Sequence, residues 1–267
     1  MKYFKKTMGA LLLLIFLTSC GSVPITGRRQ ILLVSDSEIL TASLTQYDEY
    51  MKTAVKSTDK TKSAMVERVG KNIAAATENY LKQNGLESEI NNFKWAFNTI
   101  QDASVNAFCM PGGKIVVYEG LLPLVASEHE LAVVIGHEVA HAVAKHSNER
   151  MSQEVLAQAG ASIVDMALSQ RTAVVRQIGG AVFGLGAQLG VMLPYSRQHE
   201  YEADYLGLVF MTLAGYNPNS ALTFWQKMSA MSGNANTSDF MSTHPSDSKR
   251  IAEIQRRLPE MEKLRGK

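Results

Sequence analysis

The sequence predicts an α+β fold that is mainly α-helical and carries one small three-stranded antiparallel sheet. Several long stretches place apolar residues at helical spacing and are bounded by helix-capping residues. Within residues 93–118, alternating apolar and polar side chains flank a turn sequence, Pro111-Gly112-Gly113. The chain has 267 residues, of which 46% are hydrophobic and 19% charged, so it is long enough for a globular domain with a sizeable core.

The N-terminal segment has the pattern of a secretion signal. Basic residues precede an apolar run over residues 10–17, which is too short to span a bilayer. The run ends in Leu17-Thr18-Ser19-Cys20-Gly21, which resembles the bacterial lipobox; an ordinary signal peptide and an uncleaved anchor are the alternatives. We therefore expect a signal peptide over residues 1–19 and acyl chains on Cys20 that hold the protein at a membrane. Gly21 after the cysteine favours the bacterial outer membrane, with the protein facing the periplasm.

The body of the protein is expected to follow a lipidated tether over residues 20–34 and to form one domain over residues 35–267. Capping residues and apolar periodicity predict helices from about residue 35 to 56 and from about 61 to 83. The three strands of the sheet are predicted at residues 93–97, 105–110 and 114–118. Residues 154–194 are rich in Ala, Gly and Val, which is typical of closely packed helices or of a mobile hairpin near a site.

The central motif is His137-Glu138-Val139-Ala140-His141, in a helix that Ser127 and Glu130 cap and that is predicted to continue to about Met151. Histidines four residues apart lie on one helix face, so both imidazoles can bind one metal ion. Glu138 points about 100° away around the axis, where it can act on a water molecule at that metal. The alternative is a pair of buried histidines bonded to backbone, with Glu138 at a solvated edge.

A third ligand is predicted in a helix over residues 197–214. Glu200 and Asp204 are four residues apart and share one face of that helix. Glu200 can complete a His₂Glu zinc site, and Asp204 can accept the N–H of a ligating histidine. The alternative is a solvated acidic face, to which Glu202 and His199 are assigned.

His146 is not expected to join this metal. It lies five residues after His141, about 140° around a continuous helix.

The pairing of His137-Glu138-x-x-His141 with Glu200-x-x-x-Asp204 is similar to the gluzincin peptidases of metallopeptidase family 48. The resemblance covers most of the chain and is nearest to the compact lipoprotein members of the family. It implies a gluzincin-like metalloprotease domain with the small sheet beside the zinc-site helix. Four further segments contribute to it: Asn106-Ala107-Phe108, Pro111-Gly112-Gly113, Ser242-Thr243-His244-Pro245-Ser246 and Arg250-Ile251. Cys109-Met110 stands where the family often has smaller residues.

The resemblance implies a zinc-dependent metalloendopeptidase of the bacterial cell envelope that cleaves unfolded or misfolded envelope and outer-membrane proteins. His137, His141 and Glu200 would bind one zinc ion per chain. Zinc activates a water molecule, and Glu138 would be the general base that takes its proton.

The other site residues are predicted from their position beside this centre. His244, with Arg250 behind it, is the candidate donor to the oxyanion; alternatively, His244 or its loop covers the zinc in a resting state. Asn106, Gly113 and Ile115 are predicted to bind substrate, because the strand near Ile115 can pair with an extended peptide.

The expected partners are protein or peptide substrates, a membrane through lipidated Cys20, and outer-membrane assembly machinery. Nucleic acid is excluded as a partner, because the formal net charge is only +2 and no basic stripe is present. Two other functions compete with proteolysis. One is a zinc-bearing chaperone or assembly factor for outer-membrane proteins, and the other is a structural lipoprotein whose histidines only pack.

Overall fold

The structure, a computed structural model, describes residues 20–156, 197–231, 238–244 and 248–266. These residues belong to two compact units. One contains the described parts of Met1–Asp36 and Ser147–Leu193, and the other contains those of Ser37–His146 and Pro194–Lys267. The predicted signal peptide and nearly all of the Ala- and Gly-rich stretch lie outside the described residues, and the predicted domain boundaries stay predictions.

The first unit contains a two-stranded hairpin where the sequence predicted a tether. Strand β1 (Cys20–Ser22) pairs antiparallel with β2 (Arg29–Ile31). The Arg28 guanidinium donates to both carboxylate oxygens of Glu149, at 2.8 and 2.6 Å. This bidentate pair holds the hairpin against helical residues 147–156 of the same unit, so the segment is folded onto a helix.

The second unit is mainly helical in its described residues and confirms the predicted α+β class. Its strands are β3 (Ala96–Ile100), β4 (Ala107–Met110) and β5 (Lys114–Tyr118). Its helices are α1 (Asp36–Thr53), α2 (Lys60–Gln83), α3 (Glu87–Ile90), α4 (Glu128–Val143), α5 (Arg197–Leu213), α6 (Ser220–Met231), α7 (Ser238–Thr243) and α8 (Ser248–Arg265). In the part of the chain that the structure describes, no helix combines the length and apolar character needed to cross a membrane.

The sheet has the predicted three strands, but their pairing is mixed rather than wholly antiparallel. The strand order is β3-β5-β4, with β5 antiparallel to β4 and parallel to β3. The link between β3 and β4 crosses the end of β5 and packs against Gly120, where an added Cβ would lie 2.1 Å from the Ala103 carbonyl oxygen. Apolar alternation predicts strands but not their direction, so this crossover was missed.

The ends of α2 and α4 follow their capping residues. The Asp59 carboxylate accepts the Lys62 N–H at 3.0 Å at the start of α2. At the start of α4, Ser127 Oγ accepts the Glu130 N–H at 3.3 Å, and Glu130 Oε2 accepts the Ala126 N–H at 2.7 Å. These bonds satisfy amides that have no partner inside a helix, so short polar side chains determine where both helices begin.

Helix α4 ends earlier than predicted. It stops at Val143, and Lys145 adopts a left-handed backbone with φ of 56° before the chain becomes helical again at residue 146. Neither glycine nor proline marks this break, so it was not predicted. Because of the break, His146 does not lie where a continuous helix would place it.

Two glycines let α4 and α5 come into backbone contact. A Cβ on Gly136 would lie 2.9 Å from the Gly207 carbonyl oxygen, and a Cβ on Gly207 would lie 2.8 Å from the His137 nitrogen. Both obstacles are backbone atoms, which cannot move aside by changing rotamer. The glycines therefore set the separation of the helices at the level of the metal motif.

Gly207→Ala is expected to lower the free energy of unfolding by about 1–3 kcal/mol, because the added methyl group overpacks a helix contact made by backbone. Urea denaturation followed by circular dichroism measures this change. Gly266→Ala is the matched control, because its Cβ would meet nothing closer than 3.8 Å. Equal stability of Gly207→Ala and the parent would contradict the close contact.

Candidate active site

The predicted metal ligands meet in the buried space between α4 and α5. His137 and His141 come from α4, Glu200 from α5, and His244 from the end of α7. One ligand atom from each of the four lies within 4.8 Å of every other. The two histidine Nε2 atoms of α4 are 3.0 Å apart, and Glu200 carboxylate oxygens lie 3.3 Å and 3.4 Å from them.

The chemistry of this group suits a metal cation. Glu200 Oε1 is buried and has no hydrogen-bond partner among the described residues. It lies beside the two Nε2 atoms, so several lone pairs converge on one small space without enough protons to satisfy them. Two imidazoles and a carboxylate form a typical zinc-binding set. The residues therefore can hold a metal ion.

The charges around the group also favour a cation. Burial opposes protonation of His137, but hydrogen bonds to Asp204 and Glu200 outweigh it and raise the pKa of this imidazole to about 9. Burial lowers the pKa of His141 well below its usual range. Burial disfavours the Glu200 carboxylate, yet the charges of His244 and Arg250 hold the pKa of Glu200 well below its usual range. The site thus stabilises one positive charge beside Glu200, either a proton on His137 or a metal ion that displaces it.

Asp204 lies against the outer nitrogen of His137. Asp204 Oδ1 lies 3.0 Å from His137 Nδ1. Arg250 holds the same carboxylate, with Nε 2.5 Å from Oδ2 and Nη2 2.8 Å from Oδ1. Burial works against the Asp204 carboxylate, but Arg250 and His137 keep its pKa below the usual value. His137 therefore has a charged, doubly held acceptor that orients its ring.

Arg250 orients Asp204 and is not exposed to a substrate. Its side chain is fully buried, its guanidinium lies 3.5 Å above the Trp225 ring, and its Nη1 is 3.1 Å from Glu200 Oε2. The guanidinium thus contacts both Asp204 and Glu200. The sequence predicted Arg250 near the centre, but not this supporting position.

Glu138 lies between the sheet and His244. Its Oε2 accepts the Cys109 N–H at 3.0 Å, and its Oε1 lies 3.3 Å from His244 Nε2. Burial raises the pKa of the Glu138 carboxyl, although the positive charges of His244 and His137 oppose the shift. A fixed carboxylate with a raised pKa is a suitable general base.

The predicted substrate-binding residues do not lie where a peptide can pair with them. Ile115 is in β5, the central strand, whose two edges are bonded to β3 and β4, and its side chain is fully buried. Gly113 has φ of 79°, and the Trp95 ring fills the space beside it. Asn106 is buried and its carbonyl accepts the Tyr118 N–H at 3.0 Å. Strand order cannot be deduced from alternation, so the prediction for Ile115 was wrong.

Three residues that the sequence did not assign to the metal group lie directly behind it. His146 Nδ1 is 2.8 Å from His141 Nδ1, and His146 Nε2 is 3.0 Å from Glu202 Oε2. Glu202 is only 7% exposed, so it does not belong to a solvated face. His199 is buried too and stacks on His146 with ring centroids 4.4 Å apart. Because α4 ends at Val143, His146 lies against His141 instead of about 140° around a continuous helix. The sequence shows no signal for this helix end, so the contact could not be predicted from it.

Comparison of the sequence with known proteins finds similarity to metalloendopeptidases and to another protease. The chain is 40% identical over 174 residues to the mitochondrial metalloendopeptidase OMA1 of Schizosaccharomyces pombe, covering 65% of this chain and 49% of the relative. It is 28% identical over 268 residues to human OMA1, covering 97% and 50%. It is 26% identical over 173 residues to the beta-barrel assembly-enhancing protease of Yersinia pestis, covering 62% and 35%. The chain thus spans about half or less of the length of these relatives.

These comparisons correct the predicted location. The OMA1 relatives from yeasts, a plant and vertebrates are all named mitochondrial. The predicted location in a bacterial outer membrane is contradicted by these names and is wrong.

The family comparison covers the whole candidate site. The model of peptidase family M48 matches residues 38–258, a range that contains both α4 histidines, Glu138, Glu200 and His244. On this match the chain belongs to peptidase family M48.

Proposed function

We propose that this protein is a zinc-dependent endopeptidase that binds one zinc ion per chain through His137, His141 and Glu200. The observation that carries the proposal is the convergence of these three side chains in one buried space, with Glu138 beside them. A zinc-binding chaperone needs the ligands but no base, so the fixed carboxylate of Glu138 favours hydrolysis over binding alone.

Glu138 moves the protons in this mechanism. Zinc, when bound, supplies a water molecule of lowered pKa and a positive charge for the oxyanion. Glu138 takes the proton of the attacking water and passes it to the leaving amine of the cleaved peptide. The Cys109 N–H holds Oε2, which leaves Oε1 as the oxygen for proton transfer.

For His244, the geometry supports the covering role over the predicted role of oxyanion donor. Its Nδ1 lies 3.1 Å from His137 Nε2 and 3.2 Å from Glu200 Oε2, among the other ligand atoms. If zinc were bound, His244 in this position would join His137, His141 and Glu200 as a ligand and exclude the water or substrate that a catalytic zinc site needs. We infer that His244 must withdraw before a peptide binds.

The substrate is proposed to be an extended, unfolded segment of a protein. The peptide is proposed to pair with the outer edge of β4 instead of with the strand of Ile115, because β4 is an edge strand of the described sheet and lies beside Glu138, which its Cys109 N–H holds. Some relatives are named for β-barrel assembly, so an unfolded β-barrel protein is a suitable substrate to test.

Lipidation of Cys20 and contact with outer-membrane assembly machinery stay predictions. Mass spectrometry of the purified protein tests the lipid.

Glu138→Gln is expected to lower casein cleavage by about 10²–10⁴-fold, because the amide cannot take the proton of water. Bound zinc, measured by atomic emission, should stay at the parent level, since Glu138 is not a ligand. Glu128→Gln, at the half-buried first position of the same helix, removes a carboxylate that pairs with Arg68 rather than with the metal group; it is the control and should cleave like the parent. Full cleavage by Glu138→Gln would disprove the mechanism.

Glu200→Ala is expected to lose most of its bound zinc, and cleavage with it, because one of three protein ligands is removed. The measurement is zinc content after gel filtration beside the exposed control Gln198→Ala. A variant that keeps one zinc per chain would show that Glu200 is not a ligand.

His244→Ala is expected to raise the cleavage rate severalfold and to leave zinc bound, because the fourth position becomes open. Initial rates on casein at fixed zinc content measure this effect, with His129→Ala on the same unit as control. A large loss of kcat with zinc retained would instead support His244 as the oxyanion donor.

A further inference from the structure

The outer nitrogen of His141 is held differently from that of His137. His137 Nδ1 contacts the Asp204 carboxylate directly, at 3.0 Å. His141 Nδ1 lies 2.8 Å from another imidazole, His146 Nδ1. His146 is completely buried.

Two facing imidazole nitrogens can share only one proton, which determines the tautomers of both rings. His141 Nε2 faces the metal group and must offer a lone pair there. His141 Nδ1 must therefore carry the hydrogen and donate it to His146 Nδ1. His146 then carries its own hydrogen on Nε2.

That second hydrogen points at a carboxylate. His146 Nε2 lies 3.0 Å from Glu202 Oε2, and Glu202 is only 7% exposed. A carboxylate is an acceptor only, so it requires a donor at His146 Nε2 and excludes the opposite direction of the chain of bonds. The buried carboxylate thus selects the tautomer of His146 and, through it, that of His141.

The surrounding elements hold this arrangement in place. Glu200 and Glu202 are two residues apart on α5, so they point about 200° apart around its axis. One reaches the front of the metal group and the other reaches behind it. His199 stacks on the His146 ring at an interplanar angle of 21° and restricts its rotation.

We propose that His146 and Glu202 are positioning residues that orient the metal ligand His141 through the relay Glu202–His146–His141. The inference rests on the metal site of the proposed function. In this relay a carboxylate supports each α4 histidine, directly for His137 and through one imidazole for His141. Loss of the relay frees the His141 ring to rotate or to adopt the other tautomer, which places a hydrogen where the metal binds.

The test measures metal binding rather than cleavage. The full chain is prepared as the parent, His146→Phe, His146→Gln, Glu202→Ala and Glu202→Gln. Zinc affinity is obtained by competition with a chromophoric chelator, and the visible spectrum of the Co²⁺-loaded protein reports the ligand geometry. Circular dichroism and urea denaturation of the metal-free proteins show whether each variant is folded.

We expect His146→Phe and Glu202→Ala to weaken zinc binding by about 10–100-fold and to alter the Co²⁺ spectrum, as loss of a ligand-orienting partner does elsewhere. His146→Gln should recover most of the affinity, because its amide oxygen can accept the His141 N–H. Glu202→Gln should also lie near the parent, since its amide oxygen still accepts from His146. A purely structural pair would change stability without this pattern of rescue in zinc affinity and spectrum.

Two results would overturn the relay. One is parent-like zinc affinity and Co²⁺ spectrum in a folded His146→Phe or Glu202→Ala variant. The other is equal weakening by the rescue and disruptive variants while all remain folded. A parent protein that binds no zinc would overturn the proposed function together with the relay, whereas a zinc-binding parent with unaffected variants would overturn the relay alone.

Discussion

The backbone contact between α4 and α5 is the constraint on which the site depends. Gly136 and Gly207 bring the two helices closer than any side chain would allow, next to His137. At this distance a carboxylate on α5 reaches an imidazole on α4 without a bridging residue. Glu200 and Asp204 reach His137 in this way, and Glu202 on the same helix contacts His146 behind His141. A wider separation would break three kinds of contact at once, because all three carboxylates are on one helix.

The same close packing buries several carboxylates, which require positive charge nearby. Glu138, Glu200 and Asp204 are all buried in the site, and Arg250 contacts two of them, Glu200 and Asp204. Isolated buried carboxylates are costly, so the remaining negative charge has to be balanced locally. The pKa of His137 is raised because Asp204 and Glu200 stabilise a positive charge on its ring. A divalent metal ion meets it and satisfies the converging lone pairs as well, which is why the electrostatics and the geometry support the same conclusion.

The small sheet holds Glu138, the proposed base, rather than presenting the peptide-binding residues that were predicted on it. Strand β4 forms one edge, and its Cys109 N–H is bonded to Glu138. The strand that carries Ile115 supports β4 from inside the sheet. A peptide that paired with β4, as proposed, would lie next to Glu138, so the same strand would orient both the substrate and the proposed base.

Sequence spacing alone predicted the pairs of site residues that lie within one turn of the same helix. His137 with His141, and Glu200 with Asp204, are each four residues apart, and helical geometry puts each pair on one face. The capping residues Ser127 and Glu130 likewise locate the start of α4, because their bonds are made within one turn. Tertiary structure decided what depends on distant parts of the chain: the parallel pairing of β3 with β5, the buried position of Arg250, and the place of His146 behind His141. The left-handed conformation of Lys145 and the crossover after β3 change the direction of the chain. Hydrophobic periodicity is a local signal, so it does not predict where side chains lie after such a change.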